Sequence, residues 1–336
     1  MSIPITRLGR TGLKVSRLAL GTMTFGLQTD EATSFRILDR ATDGGINFLD
    51  TADVYPLGGT VETTGRTEEI IGNWLHAQGP SRRIQFILAT KAANKVGPNP
   101  WDQGNSRKHL LDAIDASLKR LQTDHVDLYQ LHHDDPHTPL DESLEALDVI
   151  VRSGRARYIG VSNFLSYRLA RAIGIAALRK LTQFVSVQPR YSLLFREIER
   201  ELLPLAGEEG LGVIPYNPLA GGLLTGKYAA GAKPEDNTRF TLGTAGGMYQ
   251  DRYWNERSFA TVAQLHKLAS EAGVPLATLA VAWVMANPLI TSPLLGASRP
   301  EQLDATLAAA EYQLPADLKQ RLDELTAEYR KGDAPR

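Results

Sequence analysis

The sequence predicts an α/β fold, a single (β/α)8 TIM barrel, and three observations favour this class. Eight short apolar segments alternate with segments whose apolar residues recur at helical spacing, along all 336 residues. No G-x-G-x-x-G motif follows the first apolar segment, where an open dinucleotide-binding sheet would carry one. Polar residues directly follow most of the apolar segments, and barrel enzymes keep their chemistry at such strand ends. We therefore expect residues 1–336 to form one barrel domain.

The barrel strands are predicted as short buried segments separated by helices. In chain order they are residues 18–21, 48–50, 86–90, 126–132, 158–162, 186–188, 213–216 and 291–294. Between them lie apolar residues at helical spacing, as in Leu110, Ile114 and Leu118. Alternation of this kind predicts right-handed βαβ units and a parallel sheet.

Three segments lie outside the eight repeated units. Residues 6–8 and 14–16 flank a glycine turn, which predicts a β-hairpin that plugs the N-terminal end of the barrel. Residues 218–255 are rich in Gly, Pro, Thr and Asn, and a loop this long usually covers a site or moves. We call residues 218–255 the clasp. Residues 315–331 predict an extra amphipathic helix at the C-terminal end.

Composition and charge exclude several classes of function. The net charge is −1 and the isoelectric point is about 6.7, so no field favours nucleic acid or an anionic membrane. The chain has no cysteine, which excludes disulfides, thiolate-bound zinc, iron–sulfur clusters and cysteine nucleophiles. No apolar run resembles a signal peptide or a membrane helix. We expect a cytoplasmic protein whose partner is a small molecule, and the sequence does not indicate its oligomeric state.

Four polar residues near three successive strand ends form a candidate catalytic set, namely Asp50, Tyr55, Lys91 and His132. A tyrosine can protonate a developing alkoxide, and a nearby lysine would lower the tyrosine pKa towards neutrality. Asp50 would hold the lysine, and His132 would orient or polarise a substrate carbonyl. Each residue alone has an ordinary explanation as a loop anchor or strand terminus. Their joint occurrence predicts carbonyl chemistry.

The cluster His132–His137 leaves an alternative open, because it fits either a metal site or a polar loop. A metal-dependent or glycosidic hydrolase on the same barrel would use such residues. These histidines follow a single strand, however, and hydrolase sites draw ligands from several strand ends. We therefore expect no metal.

A series of motifs runs through the chain in a characteristic order. They occupy residues 7–16, 20–26, 45–55, 89–91, 127–132, 160–164, 216–228 and 296–303, with Gln188 between the sixth and seventh. On these motifs the sequence resembles the aldo-keto reductase family over essentially its whole length. It is most similar to the larger bacterial branch, which is related to the potassium-channel β subunits.

The resemblance implies an NADPH/NADP+ site around the same barrel mouth. Ser162, Asn163 and Gln188 would bind the nicotinamide carboxamide, and Tyr216 would stack on the nicotinamide ring. The pyrophosphate would follow the backbone of Asn217, Pro218, Leu219, Gly221 and Leu223, with Lys227. The adenosine 2′-phosphate and adenine would contact Gly296, Ser298, Arg299 and Gln302, with Arg239 reaching the phosphates from the clasp. The same site would include Gly21, Thr22, Met23 and Asp50.

Ser298 and Arg299 are expected at the start of a helix, whose free amides favour an anion. Two departures from the family pattern bear on this site: Asn217 replaces a usual serine, and Thr306 replaces an asparagine that often covers the adenine. A cofactor-sensing regulatory subunit is the non-enzymatic alternative that the resemblance implies.

The substrate pocket is the least defined part of the prediction. Residues 56–65 and 93–104, the latter with Trp101, are expected to border it. Tyr249, Tyr253 and Trp254 of the clasp are either an aromatic rim for an apolar substrate or residues that pack the clasp.

Overall fold

The computed structural model describes residues 3–77 and 79–331, and its chain begins with the predicted hairpin. Strands β1 (Ile5–Arg7) and β2 (Lys14–Ser16) pair antiparallel. The turn between them lies against the barrel, since a Cβ on Gly9 would stand 2.4 Å from the Gly210 carbonyl oxygen. Leu8 and Val15 are fully buried in a core cluster with barrel residues. The hairpin therefore closes the N-terminal end of the barrel, as predicted.

Eight parallel strands form the barrel wall. They are β3 (Ala19–Gly21), β4 (Phe48–Asp50), β5 (Ile87–Ala92), β6 (Val126–Leu131), β7 (Ala156–Ser162), β8 (Phe184–Gln188), β9 (Gly212–Val213) and β10 (Leu294–Leu295). Neighbours pair in sequence, and β10 pairs with β3. The two ends of this strand order, at β10 and β9, meet where the Leu294 amide donates to the Pro215 carbonyl at 2.8 Å. The predicted TIM barrel is confirmed.

Strand ends differ from the prediction where proline intervenes. Strand β9 ends at Val213, and β10 begins only at Leu294. Pro215 and Pro293 stand in the predicted strands, and proline has no N–H to contribute to a ladder. Strand β5 instead continues to Ala92, which places Lys91 inside the strand.

Helices cover the outside of the sheet. They are α1 (Glu31–Asp43), α2 (Arg66–Ala77), α3 (Pro80–Arg83), α4 (Arg107–Leu121), α5 (Leu140–Arg152), α6 (Ser166–Arg179), α7 (Leu202–Glu209), α8 (Gly246–Tyr253), α9 (Glu256–Glu271), α10 (Leu276–Met285), α11 (Gln302–Leu307) and α12 (Ala316–Leu325). Over residues 3–77 and 79–331, no single helix is long and apolar enough to cross a bilayer. Helices α9 and α10 meet the length and composition only when they are taken together, and the pair is bent by 93°.

The clasp is more regular than predicted. It contains 3-10 turns at Ala220–Thr225 and Gly243–Ala245 and the helix α8. An aromatic cluster of Tyr228, Phe240, Trp254 and Phe259 holds it, with 4.6 Å between the ring centroids of Phe240 and Trp254. The contact between Trp254 and Phe259 packs the clasp against α9, and buried aromatic rings of this kind contribute strongly to packing.

Two hydrogen bonds link the clasp to loops on the other side of the barrel mouth. The Gln28 side-chain amide donates to the Asn237 carbonyl at 2.7 Å, and the Thr244 amide donates to the Gly58 carbonyl at 3.1 Å. The approach at Gly58 is close, because a Cβ there would lie 2.7 Å from the Leu242 carbonyl oxygen. The clasp therefore bridges the loops that follow β3 and β4.

The predicted C-terminal helix forms as α12 and continues after Thr326 as a 3-10 turn, Ala327–Lys331. Buried Arg196 ties this segment to the barrel. Its guanidinium donates to the Asp323 carbonyl and to the Thr326 hydroxyl, and it pairs with Glu199.

Candidate active site

A cavity of about 1220 Å³ opens at the carboxyl ends of the barrel strands, beneath the clasp. It is large enough for a dinucleotide together with a small substrate, because sites for drug-sized ligands occupy roughly 300–1,000 Å³. Asp50, Tyr55 and His132 line it. Lys91 lies immediately behind them and is fully buried. The four predicted catalytic residues therefore converge on one mouth.

An ion pair between Lys91 and Asp50 forms the floor of the cluster. Both side chains are buried, and the Lys91 ammonium also donates to the Thr51 carbonyl at 2.9 Å. A buried charge without a partner would cost several kcal/mol, so each group requires the other. Strands β4 and β5 are neighbours, and this pairing brings Asp50 and Lys91 together.

The other carboxylate oxygen of Asp50, Oδ1, accepts hydrogen bonds from two side-chain amides. Gln188 donates to Oδ1 at 2.8 Å and Gln130 donates to the same atom at 3.0 Å. Gln130 is fully buried, and the sequence analysis missed it. The available signal was its position two residues before His132, because alternate residues of a strand share one face. The two amides fix the orientation of Asp50 and thereby the position of Lys91.

Tyr55 lies above the ion pair and is 8% exposed. The Lys91 Nζ atom is 5.3 Å from the centroid of the Tyr55 ring, and the His132 ring is 5.6 Å away at 84°. Burial raises the pKa of Tyr55 well above its ordinary value of 10, and the Asp50 carboxylate raises it further. This direction is opposite to the one that we predicted. The physical reason is that burial and the neighbouring Asp50 carboxylate both disfavour the charged tyrosinate, so the phenol keeps its proton.

His132 is held in the neutral state. Burial lowers its pKa well below 6.5, and the Lys91 ammonium lowers it further. Its Nδ1 atom has no hydrogen-bond partner within the described chain, while its backbone is fixed by Ala92 and Asn163. A neutral imidazole can donate one N–H to a ligand oxygen.

These pKa directions predict the pH dependence of any reaction in which Tyr55 donates a proton. Tyr55 keeps its proton up to pH 10 because its pKa is raised, and His132 stays neutral down to pH 6.5 because its pKa is lowered. We expect kcat/KM to stay constant between these two pH values in steady-state assays. A titration step of kcat/KM between pH 7 and pH 9 would contradict this electrostatic description.

The four residues that were predicted to surround the nicotinamide are linked to one another by hydrogen bonds. The Tyr216 hydroxyl donates to Asn163 Oδ1 at 2.8 Å, and Asn163 Nδ2 donates to the Ser162 hydroxyl at 3.0 Å. Ser162 in turn donates to the Gln188 carbonyl at 2.8 Å. All four predicted residues line the cavity together.

The predicted phosphate side combines glycine backbone with cations. Gly221 has φ +70°, and a Cβ on it would stand 2.8 Å from Tyr249, so a larger residue is excluded. The guanidinium of Arg239 lies 5.5 Å from the Tyr249 ring centroid, and its Nη1 is buried without a hydrogen-bond partner in residues 3–77 and 79–331. A buried donor of this kind is suited to a ligand anion.

Most of the other residues predicted for the cofactor also line the cavity. They are Gly21, Thr22, Met23, Asn217, Pro218, Leu219, Lys227, Gly296, Ser298, Arg299 and Gln302. Leu223, whose backbone was predicted to follow the pyrophosphate, does not line the cavity, and its side chain packs into the hydrophobic core.

The expected helix start at Ser298 is wrong. Helix α11 begins at Gln302, and the Ser298 amide donates to the Gln302 side chain at 2.8 Å. The Ser298 backbone amide therefore already has a hydrogen-bond acceptor within the protein. Thr306 is buried and donates to the Leu303 carbonyl, so its side chain does not reach the cavity.

The carboxylates of the histidine cluster are held by contacts within the protein. Asp135 accepts hydrogen bonds from Asn105 and Thr138, and Asp134 pairs with Arg168. Within the described residues, no three His, Cys, Asp or Glu side chains converge as metal ligands.

Most of the aromatic residues that were candidates for the rim of the substrate pocket pack within the protein instead. Trp254 belongs to the aromatic cluster described above, and Tyr253 is buried outside the cavity. Only Tyr249 of the three lines the cavity. Trp101 is 52% exposed and does not line it either, whereas the loop 56–65 does contribute to the wall, as predicted.

Comparison with known proteins agrees with the motifs. The model of the Aldo/keto reductase family matches residues 17–327. The uncharacterized oxidoreductase YrpG of Bacillus subtilis is 45% identical over 325 residues, covering 95% of each chain. A probable voltage-gated potassium channel subunit beta of Arabidopsis thaliana is 38% identical over 306 residues, 90% of each chain. L-glyceraldehyde 3-phosphate reductase of Escherichia coli K12 is 33% identical over 303 residues, covering 90% of this chain and 86% of that relative.

Proposed function

We propose that this chain, which belongs to the aldo/keto reductase family, reduces an aldehyde or ketone to the alcohol with NADPH, and that Tyr55 donates the proton. Family membership makes the chain an oxidoreductase. The observation that carries the finer proposal is the cluster of Tyr55, His132 and the Lys91–Asp50 pair at one mouth of the barrel.

The residues have separate tasks in the proposed reaction. NADPH held by the residues of this cavity would supply a hydride to the carbonyl carbon, whose π electrons would move to oxygen. Tyr55 gives its phenolic proton to that oxygen, which completes the alcohol. Neutral His132 donates an N–H to the same oxygen and holds it near Tyr55. The Lys91 ammonium stabilises the tyrosinate that remains until solvent returns the proton.

The cavity residues fit a dinucleotide phosphate. Arg239 presents a buried donor that no described residue uses, and Lys227 and Arg299 add positive charge along the same wall. A Cβ on Gly296 would meet no protein atom within 4 Å and would project into open space beside this wall. Unpaired cations next to an open backbone suit a polyanionic cofactor.

Replacing Arg239 with methionine is expected to raise the dissociation constant for NADPH by about 10- to 100-fold, the effect of losing one charge-assisted hydrogen bond. Isothermal titration calorimetry measures this directly. Lys233→Met is the matched control, because Lys233 is an exposed cation of the same clasp that does not line the cavity. Equal NADPH affinity for Arg239→Met and the control would remove Arg239 from the cofactor site.

NADPH consumption by purified protein, followed at 340 nm with a panel of aldehydes and ketones, tests the proposed function. We expect turnover that depends on the carbonyl compound and persists with a chelator. One relative is named as a reductase of L-glyceraldehyde 3-phosphate, which supports including aldehydes in the panel. Tight NADPH binding without any turnover would favour a regulatory role, since another relative is named as a probable channel subunit. Failure to bind a nicotinamide cofactor would overturn the proposal.

A further inference from the structure

The cations that the clasp places in the cavity lie beside aromatic rings rather than carboxylates. They are Lys227, Arg239 and Arg252. The Lys227 Nζ atom is 4.8 Å from the centroid of the Tyr228 ring, while Arg239 and Arg252 both lie beside the ring of Tyr249. Within residues 3–77 and 79–331, none of the three cations forms an ion pair. An aromatic face attracts a cation without cancelling its charge, so the charge remains available to an anion.

Tyr249 brings two guanidiniums to one place in the clasp. Its ring centroid is 5.5 Å from the Cζ atom of Arg239 and 6.0 Å from the Cζ atom of Arg252. Tyr249 and Arg252 are three residues apart in helix α8, a spacing that makes their side chains neighbours on the helix surface. Arg239 belongs to the stretch of the clasp before that helix. The ring is therefore the shared neighbour of two like charges.

The ring of Tyr249 is fixed by packing and is 2% exposed. Its centroid is 6.4 Å from that of Phe240, edge to face, and 6.3 Å from that of Tyr253. Gly221 leaves room for it, since a Cβ at that position would stand 2.8 Å from Tyr249 Cδ1. An arginine beside a fixed ring has fewer conformations to lose when it binds a ligand, which favours binding.

The two guanidiniums lie at the part of the cavity proposed for the cofactor pyrophosphate. The Asn217 side-chain amide donates to the Tyr249 hydroxyl in a long hydrogen bond of 3.5 Å, and Gly221 lies against the Tyr249 ring. Asn217 and Gly221 belong to the segment whose backbone is proposed to follow the pyrophosphate. Both phosphates of that group are ionised at neutral pH, and a guanidinium can bind a phosphate with two parallel hydrogen bonds.

On this geometry we infer that Arg252 joins Arg239 in binding the cofactor pyrophosphate, and that Tyr249 is a positioning residue that holds both guanidiniums for it. The inference rests on the proposed binding of NADPH. It adds Arg252 and Tyr249 to the residues that the family resemblance implied for the cofactor. The pyrophosphate supplies the counter-charge that the two arginines lack within the described chain.

NADPH and NADH share the pyrophosphate and differ only in the 2′-phosphate, so the two nucleotides together identify the anion that Arg252 binds. Arg252→Met should raise the dissociation constants of both by a similar factor, about tenfold or more, in calorimetric titrations. Displacement of bound NADPH gives the constant for NADH where its direct heats are small. Lys233→Met is the control, because Lys233 is an exposed clasp cation that does not line the cavity.

The possible results separate this inference from the proposed function. If Arg252→Met bound NADPH as tightly as the control, Arg252 would not be a cofactor ligand, and NADPH binding itself would stand. Weaker NADPH binding with unchanged NADH binding would also overturn the inference, because the anion would then be the 2′-phosphate. If the wild type bound neither nucleotide, the proposed function would be wrong and the inference with it.

Substitutions of Tyr249 distinguish positioning of the arginines from packing of the clasp. Tyr249→Phe keeps the ring and should leave the NADPH dissociation constant within about twofold of the wild type, whereas Tyr249→Leu should raise it by about 3- to 30-fold. In an Arg239→Met/Arg252→Met background, Tyr249→Leu should have no further effect on NADPH binding, because the charges beside the ring are gone. A further loss of affinity in that background, or an equal loss in the Phe and Leu variants, would contradict the positioning role. Circular dichroism checks that each variant is folded.

Discussion

Replacing Tyr55 with phenylalanine should lower kcat/KM for carbonyl reduction by roughly 10²- to 10⁴-fold, the usual contribution of a positioned acid. The substitution removes only the hydroxyl and keeps the ring contact with His132 and the ring position above Lys91. NADPH binding should stay almost unchanged, because the phenol is proposed to contact the substrate. The raised pKa of Tyr55 means that the wild-type hydroxyl is fully protonated at neutral pH, so the variant loses the complete donor.

Stopped-flow measurement of NADPH oxidation, together with calorimetric NADPH binding, separates these two effects. Tyr253→Phe is the matched control, since its hydroxyl is buried outside the cavity and has no hydrogen-bond partner in the described residues. The control should retain nearly all activity. If Tyr55→Phe also retained most of its activity with an unchanged rate of the chemical step, another group would be the proton donor.

Replacing Lys91 with methionine should have the second large effect, on activity and stability together. The variant leaves the Asp50 carboxylate buried without its counter-charge, although Gln130 and Gln188 still donate to it. Breaking a buried ion pair in this way typically costs about 3–5 kcal/mol of unfolding free energy. We also expect kcat to fall by roughly 10²-fold or more, because nothing then stabilises the tyrosinate.

A double variant distinguishes the two consequences of losing Lys91. Asp50→Asn removes the uncompensated charge, so Asp50→Asn/Lys91→Met should recover much of the stability in urea unfolding but none of the activity. Unfolding free energy equal to that of the wild type in Lys91→Met alone would contradict the buried ion pair. Recovery of activity in the double variant would contradict the proposed role of the ammonium.

The fold was predictable because its signals are local and repeated. Alternating apolar segments and helical spacing identify the eight barrel strands, and pairing of neighbouring strands then brings Asp50 and Lys91 together. The strand ends near Pro215 and Pro293 were less predictable. The apolar pattern continues through both prolines, whereas the hydrogen-bond ladder does not.

The parts of the site that could not be predicted depend on distant contacts. The pKa of Tyr55 was predicted in the wrong direction because the burial of the phenol and its closeness to the Asp50 carboxylate appear only in three dimensions. The order within the clasp likewise comes from packing of Phe240 against Trp254. Arg252 is a further example, since nothing in its sequence neighbourhood indicates that it lines the cavity beside Tyr249.

The most direct test of carbonyl reduction at the Tyr55 cluster is the fate of the transferred hydrogen. Purified protein is incubated with NADPH that carries deuterium at both C4 positions and with an accepted aldehyde, and the alcohol is analysed by mass spectrometry and NMR. The proposed function predicts one deuterium at the carbinol carbon for each NADPH consumed, and loss of this product with Tyr55→Phe. An alcohol without deuterium at that carbon, or its undiminished formation by the variant, would contradict it.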